Sequence, residues 1–132
     1  MKKLFILLTL LLSTTTFAGE CVNDKGEDIL NNPEEFQTLI KNSTSCYEAK
    51  DLAIACAWGS SMDVHTAGAA YDVCQNQLEK NNPAQNLLTV FASMKQLCSD
   101  KYDNMDGTMY RSMASYCYLD AVDFILNLTF EE

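Results

Sequence analysis

Six cysteines, Cys21, Cys46, Cys56, Cys74, Cys98 and Cys117, are the residues of this chain whose types most directly suggest chemistry. Zinc or thiol redox chemistry would want a Cys-x-x-Cys pair or histidine ligands at metal spacing, and neither is present. An even count in an exported chain predicts three structural disulfides instead. The second candidate is CSDKYDNMDGTMYRSMASYC, where Asp100, Asp103, Asn104, Asp106 and Gly107 stand between Cys98 and Cys117. Setting Gly107 on the glycine of an EF-hand loop places Asp106 and Asn104 at ligand positions, but Tyr102 and Met113 at the first and last ones. Both end ligands are missing, so the stretch is expected to hold no metal and to form a turn that displays carboxylates. The third candidate is local: His65, the only histidine, lies beside Ser60, Ser61 and Asp63. A Ser-His-Asp triad is assembled by tertiary geometry, whereas such local clusters ordinarily cap helices. Eighteen acidic side chains make chance carboxylate pairs unavoidable, so no pair is singled out for glycoside hydrolysis. No glycine-rich phosphate loop appears, and the expectation is a protein without catalysis, cofactor or metal.

The elements that position these residues follow an export signal. Lys2 and Lys3, the apolar run from Leu4 to Leu12, and Thr16-Phe17-Ala18 read as the charged, apolar and cleavage regions of a signal peptide over residues 1–18. The run is too short to span a bilayer, so no membrane anchor remains after cleavage. Glu20 before Cys21 is unlike the small residue that precedes a lipidated cysteine. The expected location is the bacterial periplasm or the exterior, and residues 19–132 are expected to form one domain.

Nine basic and eighteen acidic side chains give a net charge of −9. Without Lys2 and Lys3, seven basic against eighteen acidic side chains leave a charge near −11. This balance excludes the basic footprint that nucleic acid or anionic lipid needs, and suits a cationic protein partner.

Proline and glycine fall only where helices should start or stop. Asn32-Pro33 opens a helix with Phe36, Leu39 and Ile40 on one side. Ser45 and Glu48 suggest a capping box for a second helix reaching Trp58 before Gly59. Ser60 and Asp63 repeat the signal for a third, from about Met62 to Lys80, with Ala67, Ala70, Tyr71, Cys74 and Leu78 inward. Asn82-Pro83 opens a fourth carrying Leu87, Phe91, Met94 and Cys98. Thr108 caps a fifth in which Met113, Cys117, Ala121, Phe124 and Leu128 share the inner face. No alternating strand pattern appears. The fold class is therefore all-α, a small antiparallel bundle of four to five helices stapled by three disulfides. Trp58 is expected in the core, and Tyr102 and Tyr110 are expected to shield a helix end.

Helical geometry restricts the pairing. Ten residues apart on one helix, Cys46 and Cys56 would be roughly 15 Å from each other, beyond the reach of a disulfide. In a hairpin turning near Ser60, Cys46 and Cys74 come level. By elimination Cys21 joins Cys56, and Cys98 joins Cys117.

Several segments resemble a known family. CYEAKDLAIACAW, the tyrosine ending AGAAY at Tyr71, Cys98, Gly107-Thr108 and Cys117-Tyr118-Leu119 resemble the lysozyme inhibitor LprI-like proteins of bacterial envelopes, over roughly residues 46–128. Cys21 and Cys74 lie outside that pattern. The resemblance implies a small envelope protein that inhibits lysozyme, and a bridge between Cys46 and Cys56, at odds with the helical geometry above. ACAWGSSMD is also similar to small secreted helical immunity proteins.

Together these readings predict an exported binding or inhibitor protein, possessing an acidic face that meets a cationic partner such as a lysozyme or a toxin. Asp100, Tyr102, Asp103 and Asp106 are the candidate partner-binding residues. The alternatives are an immunity protein for a secreted toxin, and a small periplasmic stress or chaperone protein.

Overall fold

A computed structural model describes Cys21 and residues 32–129. The expected signal peptide and the segment after Cys21 lie outside the described residues. Five helices follow one another: α1 Pro33–Lys41, α2 Cys46–Ala55, α3 Ser61–Asn81, α4 Gln85–Tyr102 and α5 Thr108–Thr129. Among the described residues there is no strand.

Local chemistry accounts for most of the helix ends. Asn32 caps α1, its side chain accepting from the Glu35 amide, with Pro33 in the first turn where its missing N–H costs nothing. Ser45 caps α2 by accepting from the Glu48 amide. The capping box expected there is only half formed, because the Glu48 carboxylate bonds the Thr44 amide at 2.7 Å and the Thr44 hydroxyl at 2.8 Å, one residue before the cap. At α3 the box is complete, with Ser60 and Asp63 bonded reciprocally. Helix α2 ends at Ala55 rather than at Trp58. The Asp63 carboxylate has taken the amides of Trp58, Gly59 and Ser60, drawing that stretch out of the helix and around the start of α3. Asn82 does not open α4; it adopts the left-handed conformation, at φ 48°, that closes α3.

Helix α3 occupies the centre, packed against α5, α2 and α1. Its small residues Ala67, Ala69 and Ala70 are buried and let the neighbouring helices approach closely. The core is completed by Phe36 and Ile40 from α1, Ala49 and Ala53 from α2, and Leu119, Val122, Ile125 and Leu126 from α5. Each large aliphatic or aromatic side chain withdrawn from water in this way contributes about 1.5–3 kcal/mol before entropy is counted. The expected inward face of α3 is present, with Tyr71 half-buried at its edge.

The fifth helix departs from expectation. Its stripe toward the core is Leu119, Val122, Ile125 and Leu126, while Met113 and Phe124 are exposed. Of the five residues expected on the inner face, only Ala121 is buried. Met113, Cys117 and Ala121 instead line a groove shared with α4. The helix thus has two apolar faces, and spacing alone selected the one toward α4.

The disulfides join Cys21 to Cys56, Cys46 to Cys74 and Cys98 to Cys117, with Cα separations of 5.4, 4.4 and 5.7 Å. These are the pairs favoured by helical geometry; the bridge between Cys46 and Cys56 that the family resemblance implied is not formed. Three disulfides indicate an oxidising, extracytoplasmic compartment. Among the described residues no helix is long and apolar enough to cross a membrane.

Candidate functional site: an acidic turn at the mouth of an apolar groove

The site lies on the hairpin of α4 and α5. Helix α4 packs its backbone against α5 alone, and Cys98 is its one buried residue. Leu87, Phe91 and Met94 rest against the edge of the core, and the Lys95 ammonium reaches back over the rings of Phe91 and Tyr71, 5.4 and 6.0 Å from their centroids. The Cys98–Cys117 bridge is the covalent tie between the two helices.

Beside the bridge runs a groove of about 520 Å³ lined by Met94, Leu97 and Tyr102 of α4 and by Met113, Tyr116 and Asp120 of α5. Val90, Met94 and Leu97 recur at helical spacing along α4, and Met109 and Met113 along α5. Leu97 is 67% exposed, and Val90, Met109 and Met113 are also open to solvent. Leu97 and Met113, exposed on the two sides of the groove, share one apolar surface rather than standing as isolated exposed residues.

The last turn of α4 and the turn that follows it carry the predicted partner-binding residues, Asp100 and Tyr102 on the helix and Asp103 and Asp106 beyond it. Asp100, Asp103 and Asp106 are all exposed, and Tyr102 is half-buried. Two acids are held on their helix: Gln96 donates to Asp100 at 2.7 Å, and the Ser99 hydroxyl donates to Asp103. Tyr102 lines both the groove and a second depression formed with Asp103, Met105, Asp106, Gly107 and Arg111. It therefore joins the apolar seam to the acidic turn. The Lys101 ammonium stands 5.0 Å from the Tyr102 ring centroid, so one of the few local cations is spent on an aromatic face. Among the described residues no three potential metal ligands converge. Met113, at the end of the calcium template, lines the groove instead.

Two polar contacts from α2 hold the groove wall. Tyr116 donates to the Ala53 carbonyl at 2.7 Å. Burial, and then the charge of Asp63, push the Tyr116 phenol up to about 12. Lys50 bridges Asp120 at 2.8 Å and Asp123 at 2.7 Å. Burial draws its ammonium pKa down, but the two carboxylates outweigh that effect and leave it raised. Asp120 is thus a groove residue fixed by a cation from a neighbouring helix.

The local cluster around His65 has a structural use. Asp63 is fully buried, accepting from the Trp58, Gly59 and Ser60 amides and from the Ser112 hydroxyl. Ser60 is occupied as a cap, and His65 is exposed. Trp58, expected in the core, is 68% exposed, because the bonds to Asp63 turn its backbone outward at the α2–α3 junction. The groove itself was missed from sequence. Its available signal was Leu97, three residues after Met94 and outside the expected row of Leu87, Phe91, Met94 and Cys98. No family model matches this chain, and neither the curated proteins nor the solved structures compared with it yield a match.

Proposed function

We propose that this is an exported binding protein, a lysozyme-inhibitor-like protective protein, that meets a cationic partner through the α4–α5 end. One juxtaposition carries the reading. The exposed carboxylates Asp100, at the end of α4, and Asp103 and Asp106, on the disulfide-clamped turn after it, stand at the mouth of an apolar groove, with Tyr102 joining the two. Long-range attraction from a chain of net charge −9 speeds encounter with a basic surface. The apolar seam then offers surface to bury, which charge pairs at an exposed rim cannot supply. In a lysozyme-type muramidase, such contact would act by occluding the substrate cleft. Capture of that enzyme at low and at high ionic strength, with its activity measured in parallel, tests the reading; absence of a complex even at low salt would sink it.

A second reading, a periplasmic chaperone for apolar segments, is favoured by one observation. Leu97, Met109, Met113 and Phe124 are all exposed on α4 and α5. Suppression of client aggregation without dependence on salt would point to it.

A further inference from the structure

We propose that the α4–α5 groove receives a basic amphipathic α-helix of the partner protein. This rests on the binding reading above and names the chemistry of the segment that is bound. Methionine is unbranched and polarizable, so a groove lined by Met94 and Met113 can adapt to side chains of varied shape, as surfaces that accept helices commonly do. Leu97 and Met113 face solvent across the groove and provide the anchoring wall on either side. The groove follows α4 from Met94 to Tyr102, about 12 Å at the rise of an α-helix, so roughly two turns of a bound helix lie within it.

Charge selects the occupant. At the groove and its mouth stand Asp100, Asp103, Asp106 and Asp120, opposed by Lys101, Arg111 and the Lys50 that already bridges Asp120, so the exposed acids left for a partner are Asp100, Asp103 and Asp106. A helix with lysine or arginine flanking its apolar stripe sets the stripe on the methionines and its cations on those acids. A second copy of this chain would bring another net charge of −9 to the same surface, and an anionic membrane would be repelled in the same way.

The probe is a synthetic amphipathic peptide of about 18 residues, leucine on one face and lysine on the other. Its comparators are a scrambled peptide of the same composition and one with glutamate for lysine. Binding to the folded, oxidised protein is measured by calorimetry, with helix content of the peptide followed by circular dichroism. The expected result is a 1:1 complex with a helical peptide, weakened by about tenfold in Leu97→Asp and in Met113→Asp and unchanged in Ile54→Asp on α2. Both groove positions are exposed, so these variants should keep the native helix content and melting temperature. Equal binding of the scrambled peptide, binding of the glutamate peptide, or indifference to both groove substitutions overturns the proposal. So does sedimentation of the free protein as a dimer that Leu97→Asp dissociates. If a basic globular protein is captured and Leu97→Asp leaves that capture intact, the groove proposal fails while the broader reading of a cationic partner stands.

Discussion

The Ser112 hydroxyl of α5 donates to the Asp63 carboxylate of α3 at 2.7 Å, across 49 residues of sequence, with both side chains buried. The same carboxylate organises the α2–α3 junction, so one acid fixes a turn, a helix start and a helix pair. Asp63→Ala leaves three amides and a hydroxyl without their acceptor and should cost about 3 kcal/mol; Ser112→Ala should cost about 1 kcal/mol. Urea denaturation of both single variants and the double variant should reveal coupling between them, since they share one network.

Lys50 gives a pH-dependent contribution of known sign. Its pKa in the fold lies above the ordinary 10.5, so the stability it adds is fully present below that value and is lost as pH rises through the folded-state value. The pair is partly exposed, and Lys50→Met should therefore cost only about 0.5–1 kcal/mol at neutral pH. Urea midpoints of the two proteins should differ at neutral pH and converge in alkaline solution.

Tyr116 should ionise late. With its phenol raised to about 12, the difference between ultraviolet titrations of the wild type and Tyr116→Phe should be a single tyrosinate step near that value, not near 10. Because the neutral phenol is the form favoured by the fold, this contribution to stability is present below 10 and declines as pH climbs toward 12.

Removing the Cys98–Cys117 bridge should loosen α4 more than the rest of the bundle. The bridge spans 19 residues, for which chain entropy predicts a loss of about 3 kcal/mol on reduction. Helix α4 has no other helix against its backbone than α5, so in Cys98→Ser/Cys117→Ser its amides should exchange with solvent ahead of those in α3.

The parts of the fold legible in sequence were those set by short-range chemistry. Asn32, Ser45 and Ser60 are caps because their side chains reach an amide two or three residues on, and the hairpin of α2 and α3 brought Cys46 level with Cys74. What sequence did not reveal depended on competition at longer range. Trp58 continues the helical pattern of α2, yet Asp63 captures its amide and sends the indole into solvent. On α5, the row containing Met113 and Phe124 and the row containing Leu119 and Val122 are both apolar, and only the presence of α3 on one side decides which becomes core. The acidic turn was legible from its composition and its flanking cysteines. The groove beside it was not, because it exists only where two helices meet.

Salt-dependent capture on an immobilised lysozyme-type muramidase, with two charge-matched triple variants, tests whether the acids beside the groove make the contact. One carries Asp100→Asn, Asp103→Asn and Asp106→Asn at the end of α4 and in the turn; the other carries Asp51→Asn, Asp72→Asn and Glu79→Gln, exposed acids on α2 and α3. Both lose the same charge, so nonspecific attraction falls equally. The wild type and the second variant should be retained at low ionic strength and released at roughly 0.5 M salt, where the screening length is a few ångströms, while the first variant should be retained poorly throughout. Equal retention of the two variants, or no complex with the wild type even at low salt, would contradict that contact.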